Sequence, residues 1–405
     1  MHSHPTPPAA SPLRALIVDD VPEISFAVAR YLGQHCAGGA LIANSAAEAL
    51  TQLETMPVHI VISDLRMPNR DGISFLAEVH RRWPATLRVL LTGQSQWESA
   101  LLAVPHCHQF ISKPVELHHL GALLARVSAW LDPTLDAATA DSLGGLAMLP
   151  SAQASLVALH GMLASPHPRS ADLATVIRRD PGLSAKVLQI ANASFFGGGS
   201  RISDVDGATS LLGASYLQDL HRRGALMTPA RNGGMGAALD VDALARHALV
   251  VAQTAKATLK DPRAAEAAYS AGLLHSVGWF AMAAAHPGLV GDASQVPPGM
   301  AERLGAQLLS FWGLPSQIVS AVAQSFYAPE EETFGPASAV HLARGLANVI
   351  GQGDLGAIGP RVSLSDDFVI KHNLQTRLPA LLDKASNADI QARRSLSPIP
   401  GAVAV

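Results

Sequence analysis

Between residues 19 and 113, five side chains with reactive tips stand at the ends of short apolar runs. Asp19 and Asp20 follow ALIV, Asp64 follows HIVIS, Thr92 closes RVLLT, and Lys113 follows QFIS. Three carboxylates within a few ångströms repel one another unless a cation compensates them. Mg²⁺ suits such a set, because it takes few carboxylates, keeps several waters and bridges to phosphoryl oxygens. A hydroxyl and an ammonium at the same place complete a candidate site for phosphoryl chemistry.

These residues converge only if their runs are parallel strands of one sheet. From 13 to 131, the runs RALIVD, ALIA, HIVIS, RVLLT and QFIS alternate with helical patterns, among them 24–34, 46–54, 73–82 and 117–130. Alternation at this spacing predicts an α/β unit with a doubly wound parallel sheet, whose functional crevice lies at the carboxyl ends of the strands. The segment 132–148 mixes Pro, Gly, Asp and small residues and reads as a linker. Beyond it, Ala- and Leu-rich helical patterns are broken by GGGS at 197–200, NGGMG at 232–236 and PPG at 297–299, so the second domain is expected to be all α. Residues 1–12 are expected to form a disordered, Pro-rich arm. Helical periodicity fades after about 350, leaving 351–405 as a partly disordered extension with one short helix at 379–385, where Pro379 suits a first turn.

Composition narrows the function classes. A chain of 405 residues has room for two or three domains, and 48% apolar against 15% charged residues excludes disorder over its whole length. With 29 basic and 32 acidic residues the net charge is −3, so nucleic acid is not the expected partner. The start, MHSHPTPPAASP, lacks a basic region followed by an apolar run, and no uninterrupted apolar stretch is long enough to span a membrane. Two cysteines, Cys36 and Cys107, form no metal or disulfide pattern. The chain reads as soluble and cytoplasmic.

The segments VDD at 18–20, SDLRMPNRDG at 63–72, LLTG at 90–93 and FISKP at 110–114 make residues 13–131 resemble a response-regulator receiver domain. The resemblance implies a flavodoxin-like, five-stranded parallel sheet of order 2-1-3-4-5. It also implies that Asp64 accepts a phosphoryl group from a sensor histidine kinase. Asp20, Asp64 and the backbone carbonyl of Arg66 would ligate Mg²⁺, with Asp19 acting through water. Lys113 would pair with the phosphoryl oxygens, and Thr92 would close on them. Phe110 stands where the family often has a switching Tyr, keeping the packing and losing the hydroxyl. Met67, Pro68 and Gly72 are expected to shape the loop after Asp64.

Residues 149–350 resemble an HDOD domain, an output module related to HD phosphohydrolases. The resemblance rests on LPSAQASLVAL at 149–159, on RRDPGLSAKVLQIANASFFGGGSRISDVDGATSLLG at 178–213, and on RHALVVAQTAK, SAGLLHSVG and LGAQLLSFWGLP further on. His247 and His275 fall at two of the family's histidine positions. Ser276 replaces the partner Asp, Ala301 stands in for a later His, and Ser325-Phe326 for the terminal His-His pair. Two imidazoles without a carboxylate hold no catalytic divalent pair. The domain is therefore expected to be no enzyme and to need no cofactor. It would act through an unidentified protein partner, a cyclic di-GMP enzyme being one candidate, or through homodimerisation. The rival reading is an HD-type cyclic-dinucleotide phosphodiesterase with a degenerate metal site. The pairs His106/His108 and His118/His119 lack a third ligand and read as solvated. Arg222, Arg223 and Arg231 read as a solvated face, and Asn192 as a structural helix end.

Overall fold

The computed structural model describes residues 12–93, 97–130, 135–193, 201–229, 239–290, 296–351 and 361–397. The glycine breaks at 197–200 and 232–236, and Arg231, lie outside them. The chain divides into two compact units, with the main-chain boundary between Ala147 and Met148.

In the first unit, β1 (Ala15–Val18) is a wholly buried apolar run, as a central parallel strand covered on both faces must be. It pairs with β2 (Ala40–Ala43) and β3 (Ile60–Asp64); β3 pairs with β4 (Leu87–Gly93), and β4 with β5 (Gln109–Lys113). All pairs are parallel, as the strand–helix alternation predicts, and the order is β2-β1-β3-β4-β5, as the receiver resemblance implies. Local chemistry starts the connecting helices. α1 (Pro22–His35) opens on a proline; α2 (Ala46–Thr55) and α3 (Gly72–Arg82) are capped by Ser45 and Asp71, whose side chains accept the N–H of Glu48 and Ser74. A single turn, α4 (Trp97–Ala100), and a 3₁₀ turn precede β5, and α5 (Leu117–Trp130) follows it.

The stretch read as a linker carries a helix, α6 (Ala137–Gly145), that belongs to the first unit. The buried Arg88 holds it there. Its guanidinium donates to the carbonyls of His106 (2.7 Å), Pro84 (2.8 Å), Thr86 (2.9 Å) and Gly144 (2.8 Å). Burial pulls its pKa down to about 9, which leaves it charged at neutral pH, satisfied by carbonyl dipoles and the helix C-terminus. His108, expected to be solvated, is 1% exposed. Its Nδ1 accepts the Arg88 N–H at 3.0 Å, so Nε2 carries the proton and donates to the Gly144 carbonyl at 3.0 Å.

The second unit is helical. Its elements are α7 (Gln153–Leu163), α8 (Ser170–Ile177), α9 (Pro181–Ala191), α10 (Val205–Arg222), α11 (Val241–Lys256), α12 (Pro262–Leu274), α13 (Val277–Ala285), α14 (Pro287–Val290), α15 (Met300–Phe311), α16 (Ser316–Ala323) and α17 (Pro336–Ile350). The one departure from all α among the described residues is a two-residue parallel ladder, β6 (Pro150–Ser151) with β7 (Thr228–Pro229). Asp180, Asp204, Asp240 and Asp261 each cap a helix by accepting the N–H three residues on. Asn192 is structural, as expected: its amide donates to the Leu188 and Ile202 carbonyls and accepts the Ile202 N–H.

Asp180 does more than cap. It is fully buried, and its two oxygens accept the N–H groups of Leu183 at 3.0 Å and Ala152 at 2.8 Å, joining the starts of α9 and α7. Burial pushes its pKa up, to about 6, against the pull of those bonds. Asp180→Ala removes a cap and orphans two buried donors, so it is expected to lower stability by about 2–4 kcal/mol. Urea denaturation checks this; a loss below half a cap's worth would contradict the bridging role.

The C-terminal extension is more ordered than periodicity implies. α18 (Asp366–Lys371) and α19 (Leu378–Ser395) follow α17, and α19 runs well past the short helix expected at 379–385. Leu342 and Leu346 of α17 form one apolar cluster with Phe368, Leu374, Leu381 and Ala385.

Candidate functional site

β1, β3 and β5 end at the same rim of the sheet, and this brings Asp19, Asp64 and Lys113 together. Asp19 is fully buried: Oδ1 accepts the Val21 N–H at 3.0 Å, and Oδ2 accepts the Lys113 ammonium at 2.8 Å. The same ammonium reaches Asp64 Oδ1 at 2.7 Å. Asp64 is 8% exposed, and its Oδ2 accepts the Arg66 N–H at 3.0 Å. Asp20 faces solvent, yet carboxylate oxygens of Asp19, Asp20 and Asp64 all lie within 4.8 Å of one another. Burial pulls the Lys113 pKa down, but its hydrogen bonds and attraction to the two aspartates together outweigh that and hold it above the usual range.

Three carboxylates against one ammonium leave two formal negative charges, and the donors are all hard oxygens. That set fits one Mg²⁺. Gly72 is dictated by the site's geometry, since a Cβ there would sit 2.0 Å from the Asp64 carbonyl oxygen. Only glycine lets α3 start against the end of β3. Thr92 is buried beside Ser112 of β5 in the ladder, and its hydroxyl donates to the Gly93 carbonyl at 3.3 Å. Phe110 is 4% exposed and lies in register with Leu90.

Near α5 the structure corrects a sequence reading. His118 and His119 do find a third potential ligand, since Glu116 places a carboxylate oxygen within 4.8 Å of both.

In the second unit His247 and His275 do meet, with ring centroids 5.3 Å apart. His275 Nδ1 bonds the Gly272 carbonyl at 2.6 Å, and the Ser276 hydroxyl reaches the Leu273 carbonyl at 3.5 Å. What sequence reasoning missed is a buried ion pair beside them: Arg344 to Glu302 at 2.7 Å, with side chains 7% and 3% exposed. Arg344 also donates to the Ser325 hydroxyl at 2.9 Å, one of the positions where the resemblance placed a lost histidine. The available signal was a charged residue among the apolar positions of each helix, Glu302 in AERLGAQLL and Arg344 in VHLARGLANVI. Burial first, then the Arg344 charge, lowers the pKa of His247 to about 4 and drives His275 well down. His341 falls to about 4, mainly by burial.

These depressed values carry a pH dependence. Below the ordinary value of 6.5 the unfolded chain takes up protons that the buried imidazoles refuse, His247 and His341 until about pH 4 and His275 until well below its ordinary value. Stability is therefore expected to fall as pH drops through that window, read as a decreasing urea midpoint. A midpoint that stays level would contradict the burial of neutral imidazoles.

Comparisons with known proteins agree with this geometry. Residues 15–125 match the model of the response regulator receiver domain, and 149–296 match that of the HDOD domain. The chain is 35% identical over 107 residues to the hydrogenase transcriptional regulatory protein HoxA of Cupriavidus necator, covering 26% of this chain and 22% of that protein. It is 28% identical over 130 residues to the response regulator protein PilR of Pseudomonas aeruginosa, covering 32% and 29%. The chain thus spans less than a third of the length of these curated relatives. Among solved structures, the MmoQ response regulator of Methylococcus capsulatus is similar over 58% of this chain and 98% of its own, at 23% identity and a TM-score of 0.46. Among the described residues no helix is long and apolar enough to cross a membrane. The chain thus carries a response regulator receiver domain, residues 15–125, followed by an HDOD domain, residues 149–296.

Proposed function

We propose that Asp64 is the phosphoacceptor of a two-component relay, supplied by a sensor histidine kinase, and that the HDOD domain acts through a protein partner rather than by hydrolysis. The observation that carries the first part is the Lys113 ammonium held between Asp19 and Asp64 at 2.8 and 2.7 Å. An Asp64 oxygen attacks the phosphorus of the donor phosphohistidine in line, the P–N bond breaks, and its electron pair returns to the imidazole, which takes up a proton. Lys113 then turns from the carboxylate to the phosphoryl oxygens. The Thr92 hydroxyl, which donates to its neighbour's carbonyl, swings to the same oxygens, and Phe110 repacks behind it. Asp20, Asp64 and the Arg66 carbonyl, with Asp19 acting through water, would hold Mg²⁺, which when bound would supply charge neutralisation for the transferring group. The altered surface comprises α4, β5 and α5, and α4 is a single turn, a small element to reorder.

For the output, the Arg344–Glu302 pair supports a binding role. A permanent cation beside His247 and His275 opposes the divalent ions that hydrolysis by an HD site requires, and the buried carboxylate nearby is already taken. The partner is a cytoplasmic protein, with cyclic di-GMP enzymes and a second copy of this chain as the candidates. The receiver reading is tested by treating the full chain with acetyl phosphate and Mg²⁺ and mapping the acyl phosphate by borohydride trapping. Modification at Asp64 is expected; modification elsewhere would overturn the assignment. For the output, turnover of cyclic di-GMP by manganese-loaded protein, lost on His275→Ala, would establish the phosphodiesterase instead.

A further inference from the structure

The second unit contains a cleft of about 800 Å³ that lies apart from the histidine pair, and its walls are cationic. It is lined by Arg178 and Arg179, at the turn between α8 and α9, by Lys256 of α11 and by Lys384 of α19. The volume falls in the range of small-molecule sites. α19 begins at Leu378, beyond the matched HDOD residues 149–296, so this chain's own extension completes the cleft.

Two of the cations are built in. Arg178 pairs with Asp206 at 2.7 Å and Glu266 at 3.7 Å, and its guanidinium stacks on the Tyr269 ring at 4.6 Å. The Tyr269 hydroxyl donates to the Arg178 carbonyl at 2.7 Å, fixing the turn that carries both arginines. Lys256 shares Glu266. The other two have no acid. Among the described residues neither Arg179 nor Lys384 makes an ion pair, and Lys384 donates only to the Ala257 carbonyl at 3.3 Å. Four cations against two carboxylates leave two positive charges facing one concave space. A cleft with low-dielectric walls concentrates such a field and draws in anions. Amides from Gln253, Asn387 and Gln391 line the same space and offer neutral donors and acceptors beside the charges.

We infer that this cleft binds a small ligand carrying at least two phosphate charges, held by Arg179, Lys256 and Lys384, with the amides available to read whatever the phosphates are attached to. Arginine forks and lysine point charges are the side chains that phosphate oxygens favour. This reading is independent of phosphorylation at Asp64.

Calorimetric titration of the full chain in EDTA tests it, with pyrophosphate, GDP and guanosine as probes. Saturable binding of pyrophosphate or GDP is expected, weakening as salt rises, with none for guanosine. GDP binding more tightly than pyrophosphate identifies a nucleotide as the source, and equal affinity identifies the bare phosphates. Arg179→Glu and Lys384→Glu are each expected to weaken binding by about tenfold or more. Neither side chain is in the core, and circular dichroism verifies that both variants fold. Asp64→Asn should leave binding unchanged. No saturable binding of either phosphate probe, binding unaffected by both charge reversals, or binding lost in Asp64→Asn would overturn the inference.

Discussion

Asp64→Asn is expected to reduce labelling by acetyl phosphate and Mg²⁺ to background, while the protein keeps its fold. An amide oxygen at that position is too weak a nucleophile to displace the donor, and Asp19 cannot substitute. It is fully buried, with one oxygen committed to the Val21 N–H and the other to Lys113. Asp20 is exposed but is not held against the ammonium. Stability should hold or rise slightly, because the substitution removes one of three mutually repelling carboxylates while Lys113 keeps Asp19. Mass spectrometry of the intact chain and a urea melt, run side by side, give both readouts. Persistent stoichiometric labelling of the variant would mean that another residue is the acceptor.

The second large effect is expected at Arg344. Removing one partner of a buried ion pair leaves an uncompensated charge, and Arg344→Ala should therefore destabilise the HDOD domain by about 3–5 kcal/mol. The stranded group is Glu302, 3% exposed in its side chain, and the Ser325 hydroxyl loses its donor as well. Joint replacement by apolar residues of similar size, Arg344→Met with Glu302→Leu, should recover most of the loss, since a buried pair replaced as a unit is often neutral or better. Urea denaturation of the two variants separates these cases. If the single variant melts like the parent, the pair is not buried in solution; if the double variant melts like the single one, the cost is packing rather than charge. The same substitution relieves the charge that depresses His247 and His275, so their pKa values should rise in the double variant, as histidine NMR shifts would report.

The receiver site was legible because its chemistry is tied to strand ends. A parallel strand buried on both faces leaves an unbroken apolar run, and the first polar residue after it must sit at the carboxyl rim. Asp19, Asp64, Thr92 and Lys113 could be placed this way from ALIV, HIVIS, RVLLT and QFIS. The helix starts of the second unit were legible for a similarly local reason: Asp-Pro at 180–181 and 261–262 satisfies orphan N–H groups within the same turn.

Contacts between residues distant in sequence were not legible. Arg88 opens the run RVLLT, and it is buried because α6 brings the Gly144 carbonyl, 56 residues on, to its guanidinium. His108 was read as solvated for the same reason. Arg344 and Glu302 lie on two separate helices, and no spacing rule says that they face each other. The cationic cleft needs α8, α11, α12 and α19 together, the last from a stretch whose periodicity had seemed to fade.

By itself, then, the sequence determined the parallel sheet and the reactive rim, since strand pattern and helix caps are set by neighbours along the chain, while the strand order came from the resemblance to receiver domains. Only the tertiary structure decided which charges are buried, which are paired and which are left facing a cavity. Burial and pairing depend on what distant segments bring against a side chain, and a charge costs or contributes free energy only according to those surroundings.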